Sequence, residues 1–331
     1  MQAIYFTAKN DVQYQDLPDP KPQQNQVIIE VKASGICHTD FEVLKANYGT
    51  GAFPLVPGHE YAGIVIDKGN NVKDIQIGDR VVVDPNIECG HCRSCLKGWA
   101  HLCSNLGAYG VTTNGGFSQY SLVDQKAILA IGDLEFGLAA LAEPMGCVLN
   151  GVNAIYDNTI NEALVFGAGP MGILFAQALR FKGITNISFV DKDPNRLQLA
   201  ESFNFQTIEA DSSDLSKLKQ SMDLVVEATG VASVANSIIK YIANGGKGLF
   251  FGVCPSNEVI NVSPFEIFRR QLRLAGSHSL NHNIKETLPI LMDGSKSLQK
   301  IISHRLSLKE ITKIFQSASP VGSLKVQASF E

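Results

Sequence analysis

Four cysteines lie close together in one stretch of this chain. Cys89, Cys92, Cys95 and Cys103 are separated by two, two and seven residues. Such spacing predicts a closed structural zinc site, which leaves no coordination position open for a substrate. Disulfides of a secreted protein and an iron–sulfur cluster are the alternatives. Residues 1–14 mix polar and apolar residues and indicate no signal segment, so we expect zinc.

Composition narrows the class of protein. The other cysteines, Cys37, Cys147 and Cys254, are scattered, which suits a reducing compartment and predicts a cytoplasmic protein. A formal charge of -4 indicates no basic surface for nucleic acid. We find no apolar run long enough to cross a bilayer, and we expect no membrane partner. A length of 331 residues predicts about two domains.

The first part of the chain has the pattern of short strands and turns. Residues 26–32, 61–66 and 81–83 are short, β-branched runs, and the last follows a Gly-Asp-Arg turn. Turn residues recur at short, irregular intervals. We therefore expect a compact, barrel-like β domain from which the cysteine loop projects.

After about residue 144 strands alternate with helices. The predicted strands cover residues 163–166, 186–190, 223–226 and 248–251. The predicted helices cover residues 170–179, 194–203 and 232–241. This alternation is typical of a parallel sheet covered by helices, so the fold class is α/β with a β-rich partner domain.

A glycine motif follows the first strand of that alternation. Gly167 permits a tight turn, Gly169 leaves room for a pyrophosphate, and Gly172 lets helix and strand pack closely. The N-terminus of the following helix favours phosphate. A glycine-rich turn of another α/β fold is the alternative, but the strand, the helix and a following acid predict dinucleotide binding.

The acid is Asp191, 19 residues after Gly172 at the end of the next strand. It is placed to accept hydrogen bonds from the adenosine ribose and to repel a 2′-phosphate, so we expect NAD rather than NADP. The nearby cations Lys192 and Arg196 weaken this preference.

A second metal site is indicated by Cys37, Thr39, His59 and Glu60. Alone, a cysteine is usually a small core residue and a histidine is more often structural than a ligand. Beside a nicotinamide motif, a thiolate and an imidazole suit a catalytic zinc.

The motifs Gly35-Ile36-Cys37-His38-Thr39-Asp40, Pro57-Gly58-His59-Glu60, Gly78-Asp79-Arg80-Val81, the four cysteines and Gly167-Ala168-Gly169-Pro170-Met171-Gly172 occur in this order. Together they resemble the zinc-dependent medium-chain dehydrogenases over nearly the whole chain. The resemblance implies a GroES-like catalytic domain at 1–143 with its zinc loop at 86–104. It implies a doubly wound Rossmann domain at 144–279, and a return segment at 280–331 that completes the catalytic domain.

Within that family, Glu143-Pro144 resembles the sorbitol, xylitol and arabinitol dehydrogenase branch. The resemblance implies that Cys37, His59, Glu60 and Glu143 serve the catalytic zinc, and it leaves open whether Glu60 or Glu143 is the direct ligand at a given stage. Cys147 is expected to be a small buried residue. The implied reaction is reversible hydride transfer between a polyol or other secondary alcohol and NAD. A primary alcohol and a threonine-type substrate are the alternatives.

The resemblance also implies roles for individual residues. Thr39 accepts the substrate's hydroxyl proton, and Glu42 stands where relatives often have a relay histidine. Phe117 is either a substrate-pocket aromatic or a core residue. The resemblance also implies a set of cofactor-binding residues, with Lys325 at the pyrophosphate. They are Gly167, Gly169, Pro170, Met171, Gly172, Asp191, Arg196, Thr229, Val253, Ser277, His278 and Lys325.

Two rival classes share this fold, a zinc-free quinone reductase and a non-catalytic zinc- or nucleotide-binding protein. The set of Cys37, His59, Glu60 and Glu143 argues against both. We expect a small-molecule alcohol or polyol as the partner, and a homodimer or homotetramer. The resemblance implies that the strands at 248–251 and 272–275 pair across a two-fold axis.

Overall fold

The computed structural model describes residues 1–49 and 52–330. The chain forms two compact units, Met1–Gly146 with Leu280–Glu331, and Cys147–Ser279.

The chain from its start to the beginning of the second unit is rich in strands. Its elements are β1 (Gln2–Ala8), β2 (Asp11–Asp16), β3 (Gln26–Gly35), α1 (His38–Leu44), β4 (Glu60–Lys68), β5 (Arg80–Val83), β6 (Asn86–Ile87), α2 (Arg93–Leu96), β7 (Gly107–Ala108), β8 (Tyr120–Asp124), β9 (Ile128–Ala130), α3 (Phe136–Ala139) and α4 (Ala142–Ile155). Short 3-10 turns lie at Ala100–Leu102 and Gln125–Ala127.

The second unit alternates strands and helices. Its elements are β10 (Glu162–Phe166), α5 (Pro170–Phe181), β11 (Asn186–Asp191), α6 (Pro194–Glu201), β12 (Gln206–Glu209), α7 (Ser213–Lys217), β13 (Met222–Glu227), α8 (Ala232–Ser237), β14 (Ile242–Phe250), α9 (Pro264–Arg270) and β15 (Arg273–Gly276). A 3-10 turn at Ile238–Lys240 follows α8.

The return segment adds both helices and strands to the first unit. Its elements are α10 (Ile284–Asp293), α11 (Ser295–Leu298), β16 (Ile302–Leu306), α12 (Leu308–Gln316) and β17 (Lys325–Ser329), with a 3-10 turn at Gln299–Ile301.

The sheet of the second unit is parallel, as predicted. Its strand order is β12-β11-β10-β13-β14-β15, and each neighbouring pair is parallel. Leu164, Val165 and Val226 are fully buried, as expected for strands covered on both faces. The strand order reverses between β10 and β13, and such a switch point opens a crevice at the carboxyl ends of the strands.

Two details of this unit differ from the sequence-based expectation. The helix predicted over 232–241 ends at Ser237 and tightens into the 3-10 turn, where consecutive isoleucines are poor helix formers. The strand predicted at 248–251 belongs to β14, which is paired on both sides, so β14 offers no free edge. The edge strands of the sheet are β12 and β15.

The first unit is built on a mixed sheet. Its strand order is β16-β17-β3-β4-β5-β9, and β8 also pairs with β3. The return segment supplies β17, which is antiparallel to β3 and brings Gln327 opposite Gly35. Residues far apart in sequence therefore meet where β3, β4 and β17 lie side by side.

Among the described residues, one helical stretch is long and apolar enough to cross a membrane, by length and composition alone. It is Phe136–Ile155, and 78% of its most apolar window is buried inside the protein. Its apolar sequence is interrupted by Glu143 and Asn150. Burial of this extent is typical of a core helix.

Candidate metal centres and cofactor site

Cys37, His59 and Glu60 converge at the ends of two strands. Cys37 follows β3 and caps α1, while His59 and Glu60 lie where β4 begins. Gly35 pairs with Glu60, and a Cβ atom at Gly35 would lie 2.4 Å from Glu60 Oε2. Glycine at this position therefore leaves room for the carboxylate.

The three side chains could share one ion. One ligand atom from each of Cys37, His59 and Glu60 lies within 4.8 Å of the others. His59 is 5% exposed and Glu60 is 1% exposed. A thiolate, an imidazole and a carboxylate in a buried cluster fit zinc well.

Asp40 supports this cluster from the side. Its Oδ2 accepts a hydrogen bond from the backbone N–H of Cys37 at 2.9 Å, and its Oδ1 lies 3.2 Å from His59 Nδ1. Burial alone lowers the pKa of His59, but the charges of Asp40 and Cys37 outweigh it, and the pKa is raised. A carboxylate behind a metal-binding histidine fixes its ring orientation.

Lys325 also reaches this cluster. Its Nζ lies 2.6 Å from Glu60 Oε2 and also contacts Oε1. Burial lowers the pKa of Lys325, but the negative charges of Glu60, Cys37 and Glu143 raise it overall. We expected Lys325 at the cofactor pyrophosphate. The structure instead gives its ammonium a buried carboxylate partner within the first unit.

Other predicted residues surround the cluster. Thr39 Oγ1 lies 3.6 Å from Cys37 Sγ. Glu143 is 7% exposed at the start of α4, and its charge reaches Lys325, although it is outside the three-residue group. Cys147 begins the second unit and is half-buried, not buried as expected.

Glu42 and Phe117 have surroundings that bear on their expected roles. Glu42 accepts hydrogen bonds from Asn47 and Lys45, both at 2.9 Å, and these lower its pKa. Phe117 is fully buried in a core cluster and packs edge-on against Phe315. The structure therefore favours the core role for Phe117.

The four-cysteine loop forms a second cluster. The ligand atoms of Cys89, Cys92, Cys95 and Cys103 all lie within 4.8 Å of one another. The Cys92–Cys95 and Cys89–Cys95 sulfur distances are 3.4 and 4.0 Å. A tetrahedral zinc with Zn–S bonds of about 2.3 Å separates its sulfurs by about 3.8 Å, so the loop fits zinc.

Thiol acidity in this loop also suits a bound cation. Backbone hydrogen bonds lower the pKa of Cys92 to about 5, whereas burial and the neighbouring thiols raise the pKa of Cys95 to about 12. Crowded thiolates repel one another unless a cation neutralises them. A zinc ion supplies that charge.

The return segment is fastened beside this loop. His282 Nδ1 lies 2.9 Å from Asp84 Oδ2, and its Nε2 lies 2.9 Å from Glu88 Oε2. Asn281 accepts a hydrogen bond from the Ala100 N–H at 3.1 Å. These contacts join the start of the return segment to the cysteine loop within the first unit.

The glycine turn of the second unit has the expected close approaches. Gly167 has a φ of 104°, and a Cβ atom at Gly172 would lie 1.9 Å from the Gly167 carbonyl oxygen. A Cβ atom at Gly169 would meet only Arg196 Nη1, at 3.8 Å. The N-terminus of α5 is therefore open to a pyrophosphate, with a cation close by.

Asp191 ends β11 next to that turn. Its Oδ2 accepts the Ala168 N–H at 2.8 Å, and its Oδ1 accepts the Asp193 N–H at 3.0 Å. Each carboxylate oxygen has a second lone pair for a ribose hydroxyl. Asp191 thus holds the glycine turn and can still face a ribose.

The remaining predicted cofactor residues follow the carboxyl ends of the strands. Thr229 follows β13, Val253 follows β14 and is 92% exposed, and Ser277 and His278 follow β15. Ser277 Oγ is buried with no hydrogen-bond partner in the described chain. Pro170 and Met171 open α5.

Comparisons with known proteins agree with this architecture. The alcohol dehydrogenase GroES-like domain matches residues 23–133, and the zinc-binding dehydrogenase model matches residues 170–293. A D-altritol 5-dehydrogenase of Agrobacterium fabrum is 46% identical over 100% of both chains. The chain belongs to the zinc-binding dehydrogenase family. This dehydrogenase therefore uses zinc and a nicotinamide dinucleotide.

Two further relatives support the assignment. D-arabinitol dehydrogenase 1 of Uromyces fabae is 30% identical over 98% of this dehydrogenase and 96% of its own chain. A solved structure described as a zinc-binding dehydrogenase of Sinorhizobium meliloti bound to NADP has a TM-score of 0.94 and 29% identity, and the match covers 99% of each chain.

Sequence reasoning missed three residues of these sites. Asp40 belongs to a quoted motif but received no role, although an acid three residues after a helix cap is a recognisable pattern. Glu227 ends a buried strand at the sheet's carboxyl edge, which is a usable indication. Nothing in the sequence indicates that His282 bridges two acids far away in the chain.

Proposed function

We propose that this dehydrogenase oxidises a polyol to a ketose with NAD, reversibly. The observation that carries the proposal is the Cys37–His59–Glu60 cluster, in which His59 and Glu60 are buried and Cys37 is half-buried, in a chain that also has an open glycine turn. The full-length similarity to a D-altritol 5-dehydrogenase and a D-arabinitol dehydrogenase supports a polyol as the substrate class.

Each group has a distinct task in this proposal. Cys37, His59 and Glu60 hold the catalytic zinc, with Glu143 binding it directly or through water. Zinc, when bound, supplies the Lewis acidity that makes a substrate hydroxyl easier to deprotonate. NAD, when bound, accepts the hydride.

Proton transfer falls to the chain's own hydroxyl. Thr39 Oγ1 lies beside Cys37 and accepts the substrate's hydroxyl proton while passing on its own. Glu42 lies on the same helix, α1, but its lowered pKa makes it a weaker base than a histidine. We therefore propose that the proton leaves through water.

Substrate choice follows from the charges at the cluster. Glu60 and Glu143 are buried acids with Lys325 near both, so the surroundings favour a ligand that offers several hydroxyl donors. A vicinal polyol offers a second hydroxyl to these carboxylates, whereas ethanol offers one hydroxyl only.

The test is NADH formation by purified protein with D-altritol, D-arabinitol, sorbitol and ethanol. We expect an alditol to be oxidised with at least tenfold higher kcat/KM than ethanol, which corresponds to about 1.4 kcal/mol in transition-state binding. Cys37→Ser is the inactive control. A protein that oxidises ethanol best would contradict the polyol assignment.

Cofactor choice is tested separately. We propose NAD because Asp191 meets the adenosine ribose, although Arg196 lies near Gly169. Asp191→Ala is expected to weaken NAD binding and to relieve the repulsion of NADP. A wild-type protein that uses NADPH more efficiently than NADH would refute this part of the proposal.

We also propose a homodimer or a homotetramer, cytoplasmic in location. The strand β15 ends the sheet with an unpaired edge among the described residues, and Phe265 and Phe268 on α9 are 66% and 79% exposed. An open edge with exposed aromatic rings invites pairing with a second copy. A sedimentation mass equal to one chain of 35.8 kDa would contradict it.

The division of the chain into 1–143, 144–279 and 280–331 is part of this proposal. The segment 280–331 contributes Lys325 and β17 to the first unit. We therefore expect that deleting residues 280–331 destroys the catalytic metal site.

A further inference from the structure

Glu227 is a fully buried acid for which the proposed reaction has no task. It is the last residue of β13 and is 0% exposed. It pairs in register with Phe166, the last residue of β10, so it lies next to the strand that enters the glycine turn. A charged residue at this depth requires an explanation.

Part of the explanation is that Glu227 holds two loops in place. Its Oε1 accepts the backbone N–H groups of Thr229 at 2.6 Å and Gly230 at 2.9 Å, and also the Thr229 hydroxyl. Its backbone carbonyl accepts the N–H groups of Phe251 at 2.9 Å and Gly252 at 2.8 Å. The loops after β13 and β14 therefore meet on this residue.

The second side-chain oxygen is not explained by these contacts. Oε2 is buried and accepts no hydrogen bond from the described residues, and Glu227 forms no ion pair within residues 1–49 and 52–330. A Cβ atom at Gly252 would lie 2.6 Å from Oε2. Burying a charge without a cation is costly, so a purely structural residue here would more economically be an amide.

The negative charge of Glu227 acts on groups at the carboxyl ends of the strands, where a ligand would bind. Burial first, and then the negative charges of Glu227 and Glu258, raise the pKa of the Cys254 thiol. Cys254 follows Val253, an exposed residue at that edge.

The sheet topology determines which half of a dinucleotide lies there. The glycine turn after β10 receives the pyrophosphate, and Asp191 at the end of β11 receives the adenosine ribose. The nicotinamide half therefore extends to the opposite side of the switch point, over the ends of β13 and β14. Those are the two ends that Glu227 joins.

We propose that the buried carboxylate of Glu227 biases this dehydrogenase towards the oxidised cofactor. The nicotinamide ring is positively charged in NAD⁺ and neutral in NADH, whereas the phosphates and riboses are the same in both. A fixed negative charge at the end of β13, close to where the ring would lie, would stabilise NAD⁺ selectively. This proposal rests on the proposed dinucleotide site.

The expected change in the ratio of the NAD⁺ and NADH dissociation constants follows from Coulomb's law. At roughly 8–12 Å, with an effective dielectric constant of roughly 20–40, one charge changes the ratio of the two dissociation constants by roughly three- to thirty-fold. Glu227→Gln should therefore raise Kd(NAD⁺)/Kd(NADH) by this factor, because an amide keeps the acceptor for the loop and removes the charge.

A hydrogen-bond control separates charge from loop geometry. Thr229→Val removes the hydroxyl that donates to Glu227 and leaves the carboxylate in place. It should weaken NAD⁺ and NADH binding by similar factors and leave their ratio unchanged.

A second pair of variants does not touch Glu227. Cys254→Lys places a cation near the carboxylate, and Cys254→Met is its neutral counterpart of similar length. We expect Cys254→Lys to raise the ratio in the same direction as Glu227→Gln, and Cys254→Met to leave it unchanged. The pair measures how strongly one added charge at this edge changes the ratio. If Glu227→Gln does not fold, Glu227→Ser is the second neutral variant, and it should raise the ratio by a similar factor.

Titration calorimetry with NAD⁺ and with NADH on the zinc-loaded protein is the measurement. A ratio raised in a neutral variant of Glu227, and unchanged in both Thr229→Val and Cys254→Met, supports the proposal. Equal weakening of both cofactors by Glu227→Gln would overturn it and leave Glu227 as a structural anchor. Absence of binding by either cofactor to the wild-type protein would instead refute the proposed function.

Discussion

Lys325 Nζ lies 2.6 Å from Glu60 Oε2 inside the first unit, although 265 residues separate them in sequence. Both side chains are buried, at 5% and 1% exposure. The pair joins the return segment to β4, which begins at Glu60 directly after His59. It also offsets one negative charge in a cluster where Cys37, Glu60 and Glu143 bring acidic groups together.

This pair predicts a destabilisation that depends on the metal. Lys325→Met leaves Glu60 buried without its partner, and loss of one member of a buried pair costs about 3–5 kcal/mol. A zinc ion in the cluster replaces part of the missing charge. The loss of melting temperature should therefore be larger in zinc-free protein than in zinc-loaded protein.

Lys325→Arg is the matched control for this measurement, because it keeps the charge and should retain most of the stability. Thermal unfolding of both variants, with and without zinc, gives the comparison. Equal losses in the two metal states would mean that Lys325 acts through packing alone.

The four-cysteine loop predicts a loss of metal together with a loss of stability. Cys95→Ser removes one of four ligands from a closed site and should lower the zinc content from about two ions per chain to about one. Cys254→Ser is the control, because Cys254 lies outside both clusters. Elemental analysis and melting temperature provide the measurements. Full zinc content and an unchanged melting temperature in Cys95→Ser would show that the loop binds no metal.

Local sequence patterns predicted most of the second unit. The buried strands at β10 and β11, the glycine turn and Asp191 were recognisable because each signal lies within a few residues of the next. Even there, the pattern did not show that β14 is a central strand and β15 an edge strand.

Contacts between distant segments could not be predicted in the same way. Ligand chemistry beside a nicotinamide motif, and then a family resemblance, grouped His59 and Glu60 with Cys37. The resemblance assigned Lys325 to the pyrophosphate. The pairing of β17 with β3 determines where Lys325 lies, and register between strands far apart in sequence leaves no local pattern. The His282 bridge was missed for the same reason.

The His282 bridge predicts a stability that changes with pH. The hydrogen bond and the charge of Asp84, together with the charge of Glu88, raise the pKa of His282 to about 9 from an ordinary value of 6.5. A raised folded-state pKa gives stability that is complete below about pH 6.5 and is lost as the pH rises through about 9.

His282→Gln should therefore lower the melting temperature at pH 6 and have little effect at pH 10. His304→Gln is the control, because His304 forms no ion pair in the part of the chain that the structure describes. If the difference in melting temperature between wild type and His282→Gln stays the same from pH 6 to pH 10, the bridge is not ionic.

The last prediction separates a polyol site from a simple-alcohol site through two residues of α4. Glu143 is buried near Lys325, so Glu143→Ala removes a metal ligand or the group that positions the ligand water. We expect it to deplete the catalytic zinc and to abolish NADH formation from alditols, while the four-cysteine site keeps its ion.

Cys147→Ala is the comparison, because Cys147 is the other metal-ligating residue type on α4, four residues after Glu143. In the polyol interpretation Cys147 is a small residue away from the metal, and its loss costs a packing penalty of about 1 kcal/mol with most activity retained. Zinc content and kcat/KM for an alditol and for ethanol, measured in both variants, decide between the two sites. An inactive Cys147→Ala together with a preference for ethanol would exclude the polyol branch, because the metal would then depend on a thiolate rather than on the carboxylate of Glu143.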